Sequence, residues 1–187
     1  KTHKMTTGLN PDSQQGDKVI LDILKRCGGK FKPVEGGLHF DRSLLKATEI
    51  DLADCPDLGP ILFTLGCFCS GETVIRNAGR LRLKESDRIE AMQTELRKMG
   101  ARIEVDGDTV HIQGVALHAP NAPLSGHNDH RIVMALAVAA IASGLPALLC
   151  GAEAVDKSWP AFWSVLRGLG AKVELNTDKQ EEFDIKA

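Results

Sequence analysis

Three helix-like stretches of the sequence end in nearly the same phrase: Leu24-Lys-Arg-Cys-Gly28, Leu96-Arg-Lys-Met-Gly100 and Leu166-Arg-Gly-Leu-Gly170. The closing glycines are 72 and 70 residues apart, and each stands where a helix takes a left-handed C-terminal residue. Strand-like runs follow at 30–34, 102–105 and 172–175. Between these amphipathic helices lie two apolar ones, 57–70 and 129–143, whose Ser-Gly endings at Ser70-Gly71 and Ser143-Gly144 are 73 residues apart. Both are apolar nearly all round, as a helix buried on every side must be. The amphipathic helices instead show stripes: Ile89, Met92, Leu96 and Met99, then Trp159, Phe162 or Trp163, Leu166 and Leu169. A period of about seventy residues is too long for a solenoid unit and predicts duplicated α/β subdomains, each with helices on a small sheet.

The repeat predicts one lobe over 1–175, with copies at about 10–85 and 86–157 and a partial third at 158–175. Residues 176–187 read as a polar tail that adds no second strand. The lobe is therefore expected to need an element from outside this sequence. The chain opens at Lys1 and enters a strand-like run at 3–7, which points to an amino terminus further upstream.

With 187 residues, 43% of them hydrophobic, the chain is long enough to bury a core of its own. Its net charge of −2, from 23 basic and 25 acidic residues, offers no global field for nucleic acid or an anionic membrane, so anion binding must be local. Five cysteines, Cys27, Cys55, Cys67, Cys69 and Cys150, form no CxxC pair and read as reduced core thiols of a reducing, cytoplasmic compartment. No run approaches the ~20 apolar residues of a membrane span.

Local positive charge is concentrated between Arg76 and Arg88, where Arg76, Arg80, Arg82, Lys84 and Arg88 place five cations in thirteen residues. Such a run is most often a solvated face. Here it ends at a helix start with Ser86 as the expected cap, where free amides and the helix dipole favour an anion. Lys84 also has a counterpart 73 residues on, Lys157, again just before an expected serine cap, Ser158. Asn128 or Asp129 caps the second apolar helix, which puts His130 and Arg131 in its first turn, and Asp57 opens the first. His130 alone reads as a structural hydrogen-bonding residue, and neither it nor His127 has metal-ligand partners. If the two buried helices start at one end of the lobe, Asp57, Lys84, Glu85, Arg88, Arg131 and Lys157 converge there. Two carboxylates among four cations suit acid/base chemistry on an anionic substrate.

Leu83-Lys84-Glu85-Ser86-Asp87-Arg88, Asn128-Asp129-His130-Arg131 and Lys157-Ser158-Trp159-Pro160 closely resemble signatures of the 5-enolpyruvylshikimate-3-phosphate synthase family. Gln15-Gly16-Asp17 and Pro56-Asp57 extend the match in the family's order across nearly the whole chain. The resemblance implies a lobe of repeated βαβαββ units with buried parallel helices, an inside-out α/β barrel, facing a second, amino-terminal lobe. It implies transfer of the enolpyruvyl group of phosphoenolpyruvate to the 5-hydroxyl of shikimate 3-phosphate, with release of phosphate and with no metal or organic cofactor. By resemblance, Asp57 is the base for the attacking hydroxyl and Glu85 the acid that protonates the methylene carbon. Lys84 contacts shikimate 3-phosphate, Arg88 and Arg131 hold the phosphoenolpyruvate carboxylate, Lys157 neutralises phosphate, and His130 orders the site. Arg80 receives no role. The amino-terminal lobe has no counterpart in these residues, so this polypeptide alone is expected to be inactive.

Two other readings compete. A lobe of the sister enolpyruvyl transferase acting on UDP-N-acetylglucosamine would share fold and chemistry, but the Lys84–Arg88 run favours the shikimate enzyme. A noncatalytic module binding RNA or a phosphorylated ligand through 76–88 lacks aromatic stacking residues, with six Phe, two Trp and no Tyr, and lacks net positive charge.

Overall fold

Two four-stranded sheets share one topology, and the repeat is the reason. The structure, a computed structural model, describes residues 4–7, 13–176 and 182–186. The first complete unit is β4 (Glu49–Asp51), α2 (Gly59–Phe68), β5 (Glu72–Arg76), α3 (Arg88–Lys98), β6 (Arg102–Asp106) and β7 (Thr109–Gln113). The second is β8 (Leu124–Ser125), α4 (His130–Ser143), β9 (Ala147–Cys150), α5 (Phe162–Gly168), β10 (Lys172–Asn176) and β11 (Glu182–Lys186). Strand order is β4-β5-β7-β6 in one sheet and β8-β9-β11-β10 in the other. In both, the first pair is parallel and the rest antiparallel. Ahead of them, β1 (Lys4–Thr7), α1 (Ile20–Arg26), β2 (Lys30–Val34) and β3 (Gly37–Asp41) form an antiparallel sheet of order β1-β3-β2, the counterpart of β5-β7-β6. The α/β fold of βαβαββ units is thus present.

The phase of the repeat differs from the expected one. Boundaries at 85–86 and 157–158 would cut each unit just before its amphipathic helix, whereas the units begin at β4 and β8. Within the stretch read as a polar tail, 182–186 form a strand: Ile185 pairs with Val173 and Ala147, is 2% exposed, and places β11 in the middle of its sheet. Phe183 and Ile185 among charged neighbours look like a polar tail, yet a strand with one buried face needs no more than such alternation. Among the described residues the incomplete copy is therefore the first, which shows β1, α1, β2 and β3, and not the last.

Burial follows the two helix patterns. On α2, Leu62 and Phe63 are fully buried, and so are Ile132, Val133, Leu136 and Ala137 on α4; each large side chain contributes about 1.5–3 kcal/mol. The two helices pack together, and the Thr64 hydroxyl donates to the Ala135 carbonyl at 3.1 Å. Ile89, Met92, Leu96 and Met99 line the buried face of α3, which packs on α4 and β8. Seventy residues on, Phe162 and Trp163 are buried but Trp159 and Leu169 remain 45% and 53% exposed. Gly28, Gly100 and Gly170 close α1, α3 and α5 at φ of 82°, 86° and 94°, the left-handed geometry their position required.

All five cysteines are free thiols, four of them buried, and burial pushes Cys67 and Cys69 up to about 12. No helix among the described residues is long and apolar enough to cross a membrane.

Candidate active site

Three segments converge at the starts of α2, α3 and α4. Asp57 lies in a 3-10 turn, Pro56–Leu58, that leads into α2. It caps nothing, which leaves its carboxylate free to face the other two segments. α3 is capped by Asp87, whose Oδ1 accepts the Ile89 and Glu90 amides at 3.0 and 3.1 Å; the expected cap, Ser86, is one residue early and donates its hydroxyl to Asp129 instead. Asp129 caps α4, accepting the Arg131 amide at 2.9 Å. Capping fixes where each helix begins and so where the next side chains point.

Arg88 is the fully buried centre of the cluster. Its Nε donates to Asp129 Oδ2 at 2.8 Å, its Nη1 to Asp57 Oδ1 at 3.2 Å, and its Nη2 to Asp129 Oδ1 at 3.3 Å and to Glu85. Asp57 gathers three cations: Lys84 Nζ at 3.0 Å, Arg88, and Arg131, which donates Nη2 to the carboxylate at 3.0 Å and Nη1 to the Asp57 carbonyl at 3.1 Å. Burial works against ionised Asp57, but the Lys84 hydrogen bond and the charges of Arg131, Lys84 and Arg88 outweigh it and hold the pKa below the usual carboxylate value. Burial opposes ionised Asp129 likewise and is overcome by Arg88, the Arg131 amide and Ser86. The guanidinium of Arg88 is in turn held more firmly protonated, because Asp129, Glu85 and Asp57 outweigh its desolvation.

Of the residues singled out in the sequence, Asp57, Lys84, Glu85, Arg88 and Arg131 are therefore joined in one network. Lys157 stands beside it, with Nζ 2.6 Å from both the carbonyl and the side-chain oxygen of Asn128, the neighbour of Asp129. It ends the 3-10 turn Ala152–Lys157, and Ser158 caps no helix, since α5 starts four residues later. His130 begins α4, but its Nδ1 is buried with no hydrogen-bond partner among the described residues, so the expected structural bond is not made through that nitrogen. Asp129 has taken the capping position beside it.

The basic run separates into two groups. Arg76 pairs with Glu49, Arg80 donates to the Ala53 carbonyl, and Arg82 binds Asp87 and the Gly107 carbonyl. Only Lys84 and Arg88 reach the network. The sequence reading gave Asp129 and Ser86 capping roles only; a serine and an aspartate each two residues before an arginine at a helix start was the signal for more. Among the described residues no group of three or more His, Cys, Asp or Glu side chains is arranged to hold a metal ion. A cavity of about 460 Å³ between Pro120, Pro146, Ala147 and Ile185 includes none of the network residues. The network is instead an open, partly exposed rim at three helix N-termini, suited to an anion that another surface then covers.

Comparison with known proteins gives this geometry a context. The family model for EPSP synthase (3-phosphoshikimate 1-carboxyvinyltransferase) matches residues 5–166. The chain is 45% identical over 165 residues to a 3-phosphoshikimate 1-carboxyvinyltransferase of Clostridium acetobutylicum, covering 88% of this chain and 38% of that protein. It is 43% identical over 174 residues to the enzyme of the same name from Methanocella arvoryzae, covering 92% and 41%. Among solved structures, EPSP synthase from Acinetobacter baumannii superposes with a TM-score of 0.74 at 26% identity over 89% of this chain and 41% of that one. The enolpyruvyl transferase NikO from Streptomyces tendae shares the fold, with a TM-score of 0.70 at 23% identity over 83% and 36%. The chain thus spans about two fifths of the length of the proteins it matches.

Proposed function

The chain belongs to the EPSP synthase family, and from that premise we propose that it is one lobe of an enzyme transferring enolpyruvyl from phosphoenolpyruvate to the 5-hydroxyl of shikimate 3-phosphate. The observation that carries the proposal is the gathering of Lys84, Arg88 and Arg131 on Asp57. Arg88 is shared with Asp129 and Glu85, but Lys84 and Arg131 both serve Asp57, and the substrates bring a carboxylate and phosphates to share them. As the ligand anions take over these cations, Asp57 loses what holds its pKa down and becomes a better base.

In the proposed reaction Asp57 accepts the proton of the 5-hydroxyl while that oxygen attacks the central carbon of phosphoenolpyruvate. Glu85 gives a proton to the methylene carbon. Arg88 and Arg131 hold the substrate carboxylate as planar donors, Lys84 contacts shikimate 3-phosphate, and His130 orders the start of α4 beside them. The tetrahedral intermediate then loses phosphate, met by Lys157, as the new methyl group returns a proton and the enolpyruvyl double bond re-forms. Fixed positive charge and three helix N-termini stabilise the anionic intermediate more than they stabilise the separated substrates.

The rest of the site belongs to an amino-terminal lobe of the same enzyme, and this chain by itself is inactive. The exposed Trp159 and Leu169 support an element outside the chain, since the corresponding Ile89 and Met99 are covered by the following unit. Reduced, buried thiols support a cytoplasmic location, and internal pairing of Arg76, Arg80 and Arg82 leaves nucleic acid no part in the proposal. No cofactor enters it. Phosphate release by the complete enzyme from phosphoenolpyruvate plus shikimate 3-phosphate tests the reaction. Release that depends on UDP-N-acetylglucosamine instead would assign the lobe to the sister transferase.

A further inference from the structure

One of the three converging segments, residues 125–129, is gripped from behind by α3. At the start of that helix Arg88 holds Asp129. Two turns on, along the same face, Glu95 holds the segment again: Oε2 accepts the Ser125 amide at 2.8 Å and Oε1 meets His127 Nε2 at 3.0 Å. Glu95 is only 2% exposed, and Lys98, 2.7 Å away, supplies its countercharge while also donating to the Pro123 carbonyl.

Between the two grips the backbone turns left-handed at two successive non-glycine residues, His127 at φ 49° and Asn128 at φ 53°. Such a residue is strained and persists only where its surroundings enforce it. Gly126 has no room to relax the turn: its amide donates to the Cys150 carbonyl at 2.8 Å, and a Cβ there would lie 2.4 Å from Val133 Cγ2. The strained pair delivers two things to the site. Asn128 presents both oxygens to Lys157, and Asp129 meets Arg88 and the amide of Arg131.

We propose that Glu95 is a positioning residue for the phosphoenolpyruvate half of the site, holding 125–129 in the turn that places Lys157, Arg88 and Arg131. The inference rests on the roles proposed above for those three cations. Glu95 touches none of them and acts through Ser125 and His127. Lys84, the shikimate 3-phosphate contact, stands on another segment, so the effect on binding falls on one substrate.

Kinetics of the complete enzyme with Glu95→Ala test this. Loss of the grip leaves a partly buried amide unpaired and raises the KM for phosphoenolpyruvate about tenfold while that for shikimate 3-phosphate changes less than about twofold. A purely structural role would lower the active fraction, and so the apparent kcat, with both KM values unchanged. Adding His127→Gly to Glu95→Ala makes the left-handed turn cheap and brings the KM for phosphoenolpyruvate back toward the starting value. Where the alanine variant does not fold, Glu95→Gln keeps the shape and shows the same direction at smaller size. Unchanged or equally raised KM values, or no rescue by the glycine, overturn the proposal. A crystal structure of the Glu95→Gln enzyme separates this inference from the reaction. Displacement of 125–129, with Lys157 detached from Asn128, supports the grip even in an enzyme inactive on these substrates, and an unmoved segment refutes it.

Discussion

Arg88 and Asp129 form an ion pair from which water is excluded: they are 1% and 0% exposed, and Arg88 Nε donates to Asp129 Oδ2 at 2.8 Å. Removing Arg88 leaves Asp129 buried with no countercharge, and removing Asp129 leaves Arg88 only the more exposed carboxylates of Asp57 and Glu85. Arg88→Ala or Asp129→Ala therefore lowers unfolding stability by about 3–5 kcal/mol, measured by denaturant unfolding of the complete enzyme. Arg88→Lys is expected to be nearly as damaging, because one ammonium cannot span Asp129, Asp57 and Glu85 as the planar guanidinium does.

The same pair sets an acid limit. Asp129 has its folded-state pKa lowered from the ordinary 3.8, so the stability it contributes is fully present above that value and is lost as pH falls through the lower folded value. Unfolding free energy followed below about pH 4 falls less steeply in Asp129→Asn than in the unaltered protein, since the variant has no such carboxylate to protonate. Equal slopes would show that Asp129 is not held ionised.

Within the run 76–88 the arginines divide by what they touch. Arg88, like Arg131 on α4, reaches the Asp57 network, whereas Arg76 and Arg80 are spent on Glu49 and the Ala53 carbonyl. Steady-state kinetics of the complete enzyme should show Arg131→Ala down about 10²–10³-fold in kcat/KM and Arg76→Ala or Arg80→Ala within about twofold. A large loss for Arg80→Ala would mean the run acts as a whole.

The strand at 182–186 makes its own prediction. Ile185 is buried between Val173 and Ala147, so Ile185→Ala costs about 2–5 kcal/mol of stability, read from the denaturation midpoint. A surface-like change below about 0.5 kcal/mol would mark the segment as dispensable.

Much of this was readable because the repeat is written twice. Equivalent glycines after α1, α3 and α5 marked the helix ends, and all adopt the left-handed conformation. Apolar helices facing apolar helices announced α2 and α4, and their common direction brought Asp57 to Arg131 across 74 residues. What escaped depended on contacts rather than pattern. Ser86 and Asp87 are both good caps, and only the reach of Ser86 to Asp129 decides between them. Ile185 and Phe183 alternate with charged residues, and only the pairing of 182–186 with β9 and β10 marks them as a strand. Glu95 looks like any helix-surface glutamate until β8 covers it.

Phosphate release by the complete enzyme, with Asp57→Asn and Glu85→Gln alongside the unaltered protein, bears most directly on the proposed chemistry. Proton transfer by a positioned group contributes about 10²–10⁴-fold, so each variant should lose activity on that scale while still binding shikimate 3-phosphate. Either variant turning over within about tenfold of the unaltered enzyme would contradict the acid and base roles assigned to these two carboxylates.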